Sequence, residues 1–335
     1  MKEKHQIIFT NNKQNIFINP TSNEMGFLSI KEGESFIQKT IDHIILLRPA
    51  HWVKNLFLFI PLFFAGEMLN LQKIYQVSIG WCAFSLAASS IYILNDIKDI
   101  ESDRIHPEKR FRPLPAGKVS VIHAIILMSM SLIGSFVISY TLSLKFLFIV
   151  SLYLILNIFY SFGLKDISIL DILILSAGFN LRIKAGGVAA DIGVSEWLMI
   201  MVFLLALLMA IAKRRDDLLI KANTGKDMRK SIGGYNLDFM NVSLALVSAI
   251  IIVAYLMYTL SPEVEHRFGT YRLYYTGLFV VAGIMRYLQI TYVDKNSGSP
   301  TKILYRDRFL QITLLLWLLS FYFLIYFPDI HIFDQ

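Results

Sequence analysis

Hydrophobic positions in this chain fall in long unbroken blocks, without the alternation of a half-buried sheet. Nine blocks have the length of a bilayer-crossing helix, with cores at Trp52–Met68, Val77–Leu94, Val121–Leu142, Phe146–Phe162, Ile169–Ala189, Trp197–Ile211, Phe239–Leu260, Leu273–Tyr292 and Phe309–Phe327. The pattern predicts an all-α integral membrane protein with nine transmembrane helices. The first and sixth blocks are short, and their helices are expected to run into flanking polar residues. Residues 1–43 are polar and mixed, with no apolar core before a cleavage site. They read as a weakly ordered or surface-lying extension ahead of a membrane domain over 44–335.

Composition agrees: 55% of residues are apolar, and the mean hydropathy of +0.55 is too high for an ordinary soluble domain. The single cysteine, Cys82, lies inside an apolar block, which removes disulfide frameworks and thiolate metal sites. Charge gives the topology. With the N-terminus placed in the cytoplasm, 25 of the 32 Lys and Arg fall on the cytoplasmic side; four fall opposite, at Lys73, Lys145, Arg267 and Arg272. The positive-inside rule therefore predicts N-terminus in and C-terminus out, and a count wrong by one helix would scramble this asymmetry. The charges crowd at one membrane face and no inverted repeat is visible, which disfavours a transporter or channel. The bilayer and anionic substrates, with no nucleic acid, are the expected partners.

The polar loops of that face carry the candidate chemistry. Directly after the second block comes Asn95-Asp96-Ile97-Lys98-Asp99-Ile100-Glu101-Ser102-Asp103-Arg104. Spacings of three and four residues place Asn95, Asp96, Asp99 and Asp103 on one helical face. Carboxylates crowded at a helix end repel one another unless a cation lies between them, and oxygen ligands without His or Cys select a hard ion, Mg²⁺ before Zn²⁺. Mg²⁺ held this way usually completes its shell with substrate phosphates. Asp96, Asp99 and Asp103 are thus the candidate catalytic residues, and together with Asn95 the candidate metal ligands of a metal–pyrophosphate site. Tyr92, one turn before Asp96, is placed to orient a carboxylate or meet a phosphate, or simply to mark the interface.

The same loop continues through Arg104, Lys109, Arg110 and Arg112, a cationic cluster suited to the outer oxygens of a polyphosphate or to topology alone. The fourth loop carries Tyr160, Lys165 and then Asp171. A lysine at a helix start opposes the dipole unless an anion comes to that end. The sixth loop is the most basic, with Lys213 and Arg214 ending a helix and Arg229 and Lys230 beyond. Arg182, within the fifth block and about 16 Å deeper than Asp171, reads as a structural residue that pairs or contacts backbone.

The segment Asn95–Asp103 resembles the N-D-x-x-D-x-x-x-D motif of the UbiA superfamily of intramembrane prenyltransferases. Leu47-Arg48-Pro49-Ala50-His51-Trp52-Val53-Lys54-Asn55 is similar to that family's opening. The resemblance spans about Leu46 to Tyr326. It implies a UbiA-like bundle with a Mg²⁺-dependent site (Mn²⁺ as substitute) opening to the cytoplasmic side of a bacterial cell membrane. It also adds Lys54 to the substrate-binding set. The second aspartate-rich motif of aromatic prenyltransferases is missing: Lys213-Arg214-Arg215 opens that loop, and Asp216, Asp217 and Asp227 lack the spacing. Arg104–Gly117, Tyr160–Lys165, Leu181–Ala189 and Thr224–Tyr235 instead resemble the branch that moves phosphoribosyl from phosphoribosyl pyrophosphate to a polyprenyl phosphate. That resemblance implies one metal–pyrophosphate site flanked by cations for the donor 5-phosphate and the lipid phosphate. Prenyl transfer to an aromatic acceptor is the alternative.

Overall fold

The computed structural model describes residues 37–106, 108–225, 230–270, 272–294, 303 and 306–326. Among them the chain is entirely helical, and eight helices are long and apolar enough to cross a membrane. They are α1 (Leu71–Lys98), α2 (Val121–Leu142), α3 (Leu144–Ser161), α4 (Leu170–Ala189), α5 (Glu196–Thr224), α6 (Leu237–Thr259), α7 (Gly277–Tyr292, whose span is completed by the 3-10 turn Arg272–Thr276 before it) and α8 (Arg308–Tyr326). Side-chain caps set the starts of several: Asn70, Ser120, Ser143, Ser195 and Asn236 each accept from a backbone N–H three residues on.

The first predicted block takes a different form. It is a 3-10 helix over Pro49–Phe59 followed by a short α-helix, Ile60–Phe64. Ahead of it, residues 37–46 are helical, and Leu46 packs with Ile93, Leu114, Val119 and Ala124. The sixth block is longer than its apolar core suggested. α5 continues through Lys213 and Arg214 to Gly225, whose left-handed φ of 67° ends it. These two residues therefore do not terminate the helix; Lys213, Arg214, Arg215, Leu218 and Leu219 are good helix formers, and Arg214 and Arg215 find partners on neighbouring helices. At 1.5 Å per residue, a helix of 29 residues reaches about 43 Å, beyond a hydrocarbon core of about 30 Å.

Two apolar clusters organise the bundle. One gathers α1, α2, α3, α4 and the Pro49–Phe64 segment around Phe84, Phe146 and Leu58; the other gathers α4 to α7 around Met240, Leu244 and Leu208. α1 and α2 approach through small residues, with Ser131, Ser135 and Ser139 buried at four-residue intervals. The 3-10 segment lies hard against α4. A Cβ on Gly186 would sit 1.9 Å from the Leu58 carbonyl oxygen, so only glycine permits this approach. One turn earlier on both elements Asn55 meets Arg182, so the segment and α4 run in the same direction.

Candidate active site

The site forms where α1 ends. Asp96 is buried in the last turn of α1, and Asp99 leaves the α basin with φ −96° and ψ 9°. A short helix, Ile100–Ile105, then resumes and buries Asp103. The backbone bonds Asp99 N–H to Asn95 O and Asp103 N–H to Asp99 O bridge the interruption, so both buried carboxylates stay on one side. Arg48 donates to Asp96 Oδ1. Arg112 Nη1 donates to Asp96 Oδ1 at 3.1 Å and to Asp103 Oδ2 at 2.8 Å, while Lys109 Nζ lies 3.6 Å from Asp103 Oδ1. Two carboxylates thus converge on one cationic nitrogen. Arg48 takes a left-handed φ of 54° just before Pro49, a conformation uncommon for a side-chain-bearing residue and disfavoured before proline. Its ion pair to Asp96 holds it there. The basic loop is anchored by Leu114, buried beside Leu46 and Ile93.

Asp99 faces elsewhere. It is partly exposed, and Lys165 Nζ stands 3.7 Å from its Oδ2. Lys98 donates to the Ser161 carbonyl at 2.5 Å and lies over the Phe162 ring, tying α1 to the end of α3. Among the described residues no three His, Cys, Asp or Glu side chains come together as a metal-binding group. Asp96 and Asp103 do supply two convergent, oxygen-only ligands around a point now held by a guanidinium, a donor set that suits a hard divalent cation.

Deeper along α1, Tyr92 sits under Arg48, whose guanidinium carbon is 5.2 Å from the ring centroid, and His51 meets the same ring edge-on at 5.1 Å. Lys54 reaches accessible space within Coulombic range of Arg182, Lys213 and Arg48. Arg182 is buried, as its sequence position suggested, and paired only with neutral groups. Its Nε donates to Asn55 Oδ1 (2.8 Å), Nη1 to the Gly178 carbonyl (2.8 Å) and Nη2 to the Tyr153 hydroxyl (3.1 Å).

A third group links α4 to α5 and the 3-10 turn Lys230–Gly234. Asp171, fully buried, accepts from Arg214 Nε at 2.5 Å, Ser231 Oγ at 3.1 Å and the Tyr235 hydroxyl at 2.6 Å. Burial and the bond to Asp171 raise the Tyr235 hydroxyl above the usual phenol range. Arg214 is as buried as its partner and also reaches Asp217 at 3.1 Å. It therefore positions the turn carrying Lys230, and only its Nη2 lacks a hydrogen bond. Arg215 is likewise spent inside the protein, on Asn241 Oδ1 and the Thr291 carbonyl.

The sequence-predicted set divides accordingly. Asp96, Asp103, Lys109, Arg112, Tyr92 and Lys54 gather at or below the end of α1, with Lys213 opening toward them from α5. Lys165 and Asp99 form a flanking pair, and Tyr160 lies within Coulombic range of Arg214. Arg104 pairs with exposed Glu101, and Arg110 stacks on Phe111, so neither turns to the buried carboxylates. Lys230 is exposed, and Arg229 lies outside the described residues. Sequence reasoning left Arg48, His51, Ser231 and Tyr235 out of the site; all four lie within or beside stretches that carry the family resemblance, which was the available signal.

Comparison with known proteins narrows the field. The UbiA prenyltransferase family profile matches residues 56–224. Decaprenyl-phosphate phosphoribosyltransferase of Mycolicibacterium smegmatis is 35% identical, over 81% of this chain and 88% of the relative. The enzyme of the same name from Corynebacterium glutamicum is 32% identical, over 81% of this chain and 82% of the relative. Among solved structures, a UbiA homolog from Archaeoglobus fulgidus bound to GPP and Mg²⁺ superposes with a TM-score of 0.63 at 19% identity, covering 85% of this chain and 99% of its own, a likeness of fold.

Proposed function

We propose, on the premise that this chain belongs to the UbiA prenyltransferase family, that it transfers 5-phosphoribosyl from phosphoribosyl pyrophosphate to a polyprenyl phosphate. The products are polyprenylphosphoryl 5-phosphoribose and pyrophosphate. One observation carries the reading: over most of its length the chain follows relatives named for this transfer, and where aromatic prenyltransferases carry a second aspartate-rich motif it offers Lys213 and buried, ion-paired Arg214.

In the reaction a phosphate oxygen of the lipid attacks ribosyl C1 as the bond from C1 to the pyrophosphate oxygen breaks. The acceptor is already an anion at neutral pH, so the protein need only position it and neutralise the leaving group. Asp96 and Asp103, with Asn95 and Asp99 at the same helix end, would hold Mg²⁺ or Mn²⁺, which when bound neutralises the pyrophosphate. Arg48, Arg112 and Lys109 already lie against these carboxylates and would turn to the outer phosphate oxygens. Tyr92 keeps Arg48 over the site. Lys165, Lys213, Arg229 and Lys230 supply the remaining positive field.

The catalytic unit spans 44–335, crosses the membrane nine times and opens to the cytoplasm, with N-terminus in and C-terminus out. The charge asymmetry of the loops supports this orientation. A 3-10 helix rises about 2 Å per residue against 1.5 Å for an α-helix, so the segment before Phe64 reaches further than its length suggests and can serve as the ninth crossing. The test is incubation of purified protein with Mg²⁺ and either labelled phosphoribosyl pyrophosphate plus a polyprenyl phosphate, or geranyl diphosphate plus an aromatic acceptor. Ribosylated lipid in the first mixture, identified by mass, is expected. A prenylated aromatic product alone would assign the other branch.

A further inference from the structure

The loop between α3 and α4 holds a backbone conformation that its own sequence does not favour. Ile169, the residue before α4, has φ 71° and ψ −49°, near the values of a γ-turn that is rare and strained. A β-branched residue is a genuine outlier there. Its side chain is 50% exposed, so packing of the isoleucine does not account for the strain. Outliers of this kind persist where the surroundings over-determine them.

Here the surroundings are one short segment, residues 231–235. The Ile169 N–H donates to the Tyr235 hydroxyl at 2.5 Å, and that hydroxyl donates onward to Asp171 Oδ1 at 2.6 Å. Ser168 Oγ donates to the Ser231 carbonyl at 2.7 Å. Gly234 comes so close that a Cβ on it would lie 2.2 Å from Ser168 Oγ. Three contacts from the α5–α6 loop thus fix two adjacent residues of the α3–α4 loop. Four residues before Ile169 comes Lys165, carried on the 3-10 turn Leu164–Asp166, with its Nζ 3.7 Å from Asp99 Oδ2. The start of the loop is pinned to α1 by Lys98 on the Ser161 carbonyl. Where the turn sits is therefore decided at its other end, at Ser168 and Ile169.

We infer that Ser168, Ile169 and Tyr235 form a strained latch between the two loops, and that Tyr235 is a positioning residue: through Ile169 it holds Lys165 against Asp99 at the edge of the carboxylate end. The latch has two states. Closure loads the Ile169 backbone, and release returns its φ to the ordinary region and lets Lys165 move off Asp99. Its effect on turnover rests on the phosphoribosyl-transfer reading, in which Lys165 belongs to the positive field around the donor; the latch itself does not.

Two measurements on purified protein in detergent test this: the rate of tryptic cleavage after Lys165 without substrate, and the KM for phosphoribosyl pyrophosphate. Tyr235→Phe removes one hydrogen bond from a strained backbone, so both should rise about 10-fold, with a smaller change in kcat. Ser168→Ala, which leaves Asp171 untouched, should raise both roughly threefold, and it reads the latch even where Tyr235→Phe fails to fold. Lys165→Gln should raise the KM as Tyr235→Phe does, and the double variant should be no worse than Lys165→Gln alone, because Tyr235 acts through Lys165. Ile169→Gly should restore slow cleavage and wild-type KM to Tyr235→Phe, since glycine takes this φ without strain and needs no latch. Unchanged cleavage in both Tyr235→Phe and Ser168→Ala, additive losses with Lys165→Gln, or no rescue by glycine would overturn the latch. Wild type that transfers no ribosyl group, with the cleavage pattern as expected, would count against the phosphoribosyl reading and support the latch.

Discussion

Replacing Asp171 with alanine should be among the most damaging single changes in this protein, for a reason that can be worked from the geometry. The carboxylate is fully buried and receives Arg214, Ser231 and Tyr235 together. Its removal leaves a guanidinium that is 1% exposed with only Asp217 for charge, and two hydroxyls that lose their acceptor. Breaking a buried ion pair from one side costs about 3–5 kcal/mol, and the orphaned hydroxyls push the value toward the upper end. Neither partner faces solvent, so screening does not reduce the figure. Asp171→Asn, which keeps the shape and one acceptor oxygen, should cost less. The double variant Asp171→Leu/Arg214→Met should be more stable than Asp171→Ala, because no charge is left buried. Unfolding titrations in mixed micelles would measure the differences, and limited proteolysis would report release of the turn over residues 230–235. An Asp171→Ala protein within about 0.5 kcal/mol of wild type, or a double variant no better than the single, would refute the argument.

Other outcomes follow from the same contacts. Asp96→Asn and Asp103→Asn should each lower turnover by two orders of magnitude or more, about 3 kcal/mol of lost leaving-group neutralisation, and Asp99→Asn by less, because Asp99 is partly exposed and faces Lys165; single-turnover assays on folded variants would rank them. Chelation should abolish transfer, and titration with Mg²⁺ or Mn²⁺ should restore it. Gly186→Ala drives a methyl group into the Leu58 carbonyl and should cost about 1–3 kcal/mol or more, seen as a lower melting temperature and a weaker Asn55–Arg182 contact.

The sequence by itself determined the class of this protein and the place of its chemistry. Unbroken apolar blocks leave helices as the only backbone that satisfies its own hydrogen bonds in lipid, and seven of the nine blocks appear as helices within a few residues of their expected limits. The carboxylates after the second block and the basic loops were equally legible, because charge is excluded from hydrocarbon and must collect at its edge. Tertiary structure decided which charges meet. Arg112 bridges Asp96 and Asp103, Asp99 goes to Lys165, and Arg214 vanishes against Asp171; local spacing cannot specify pairings between residues 9 to 66 positions apart. It also decided the form of the first block, a 3-10 helix pressed on Gly186, and the extension of α5 through residues that looked like loop, because their partners lie on α4, α6 and α7.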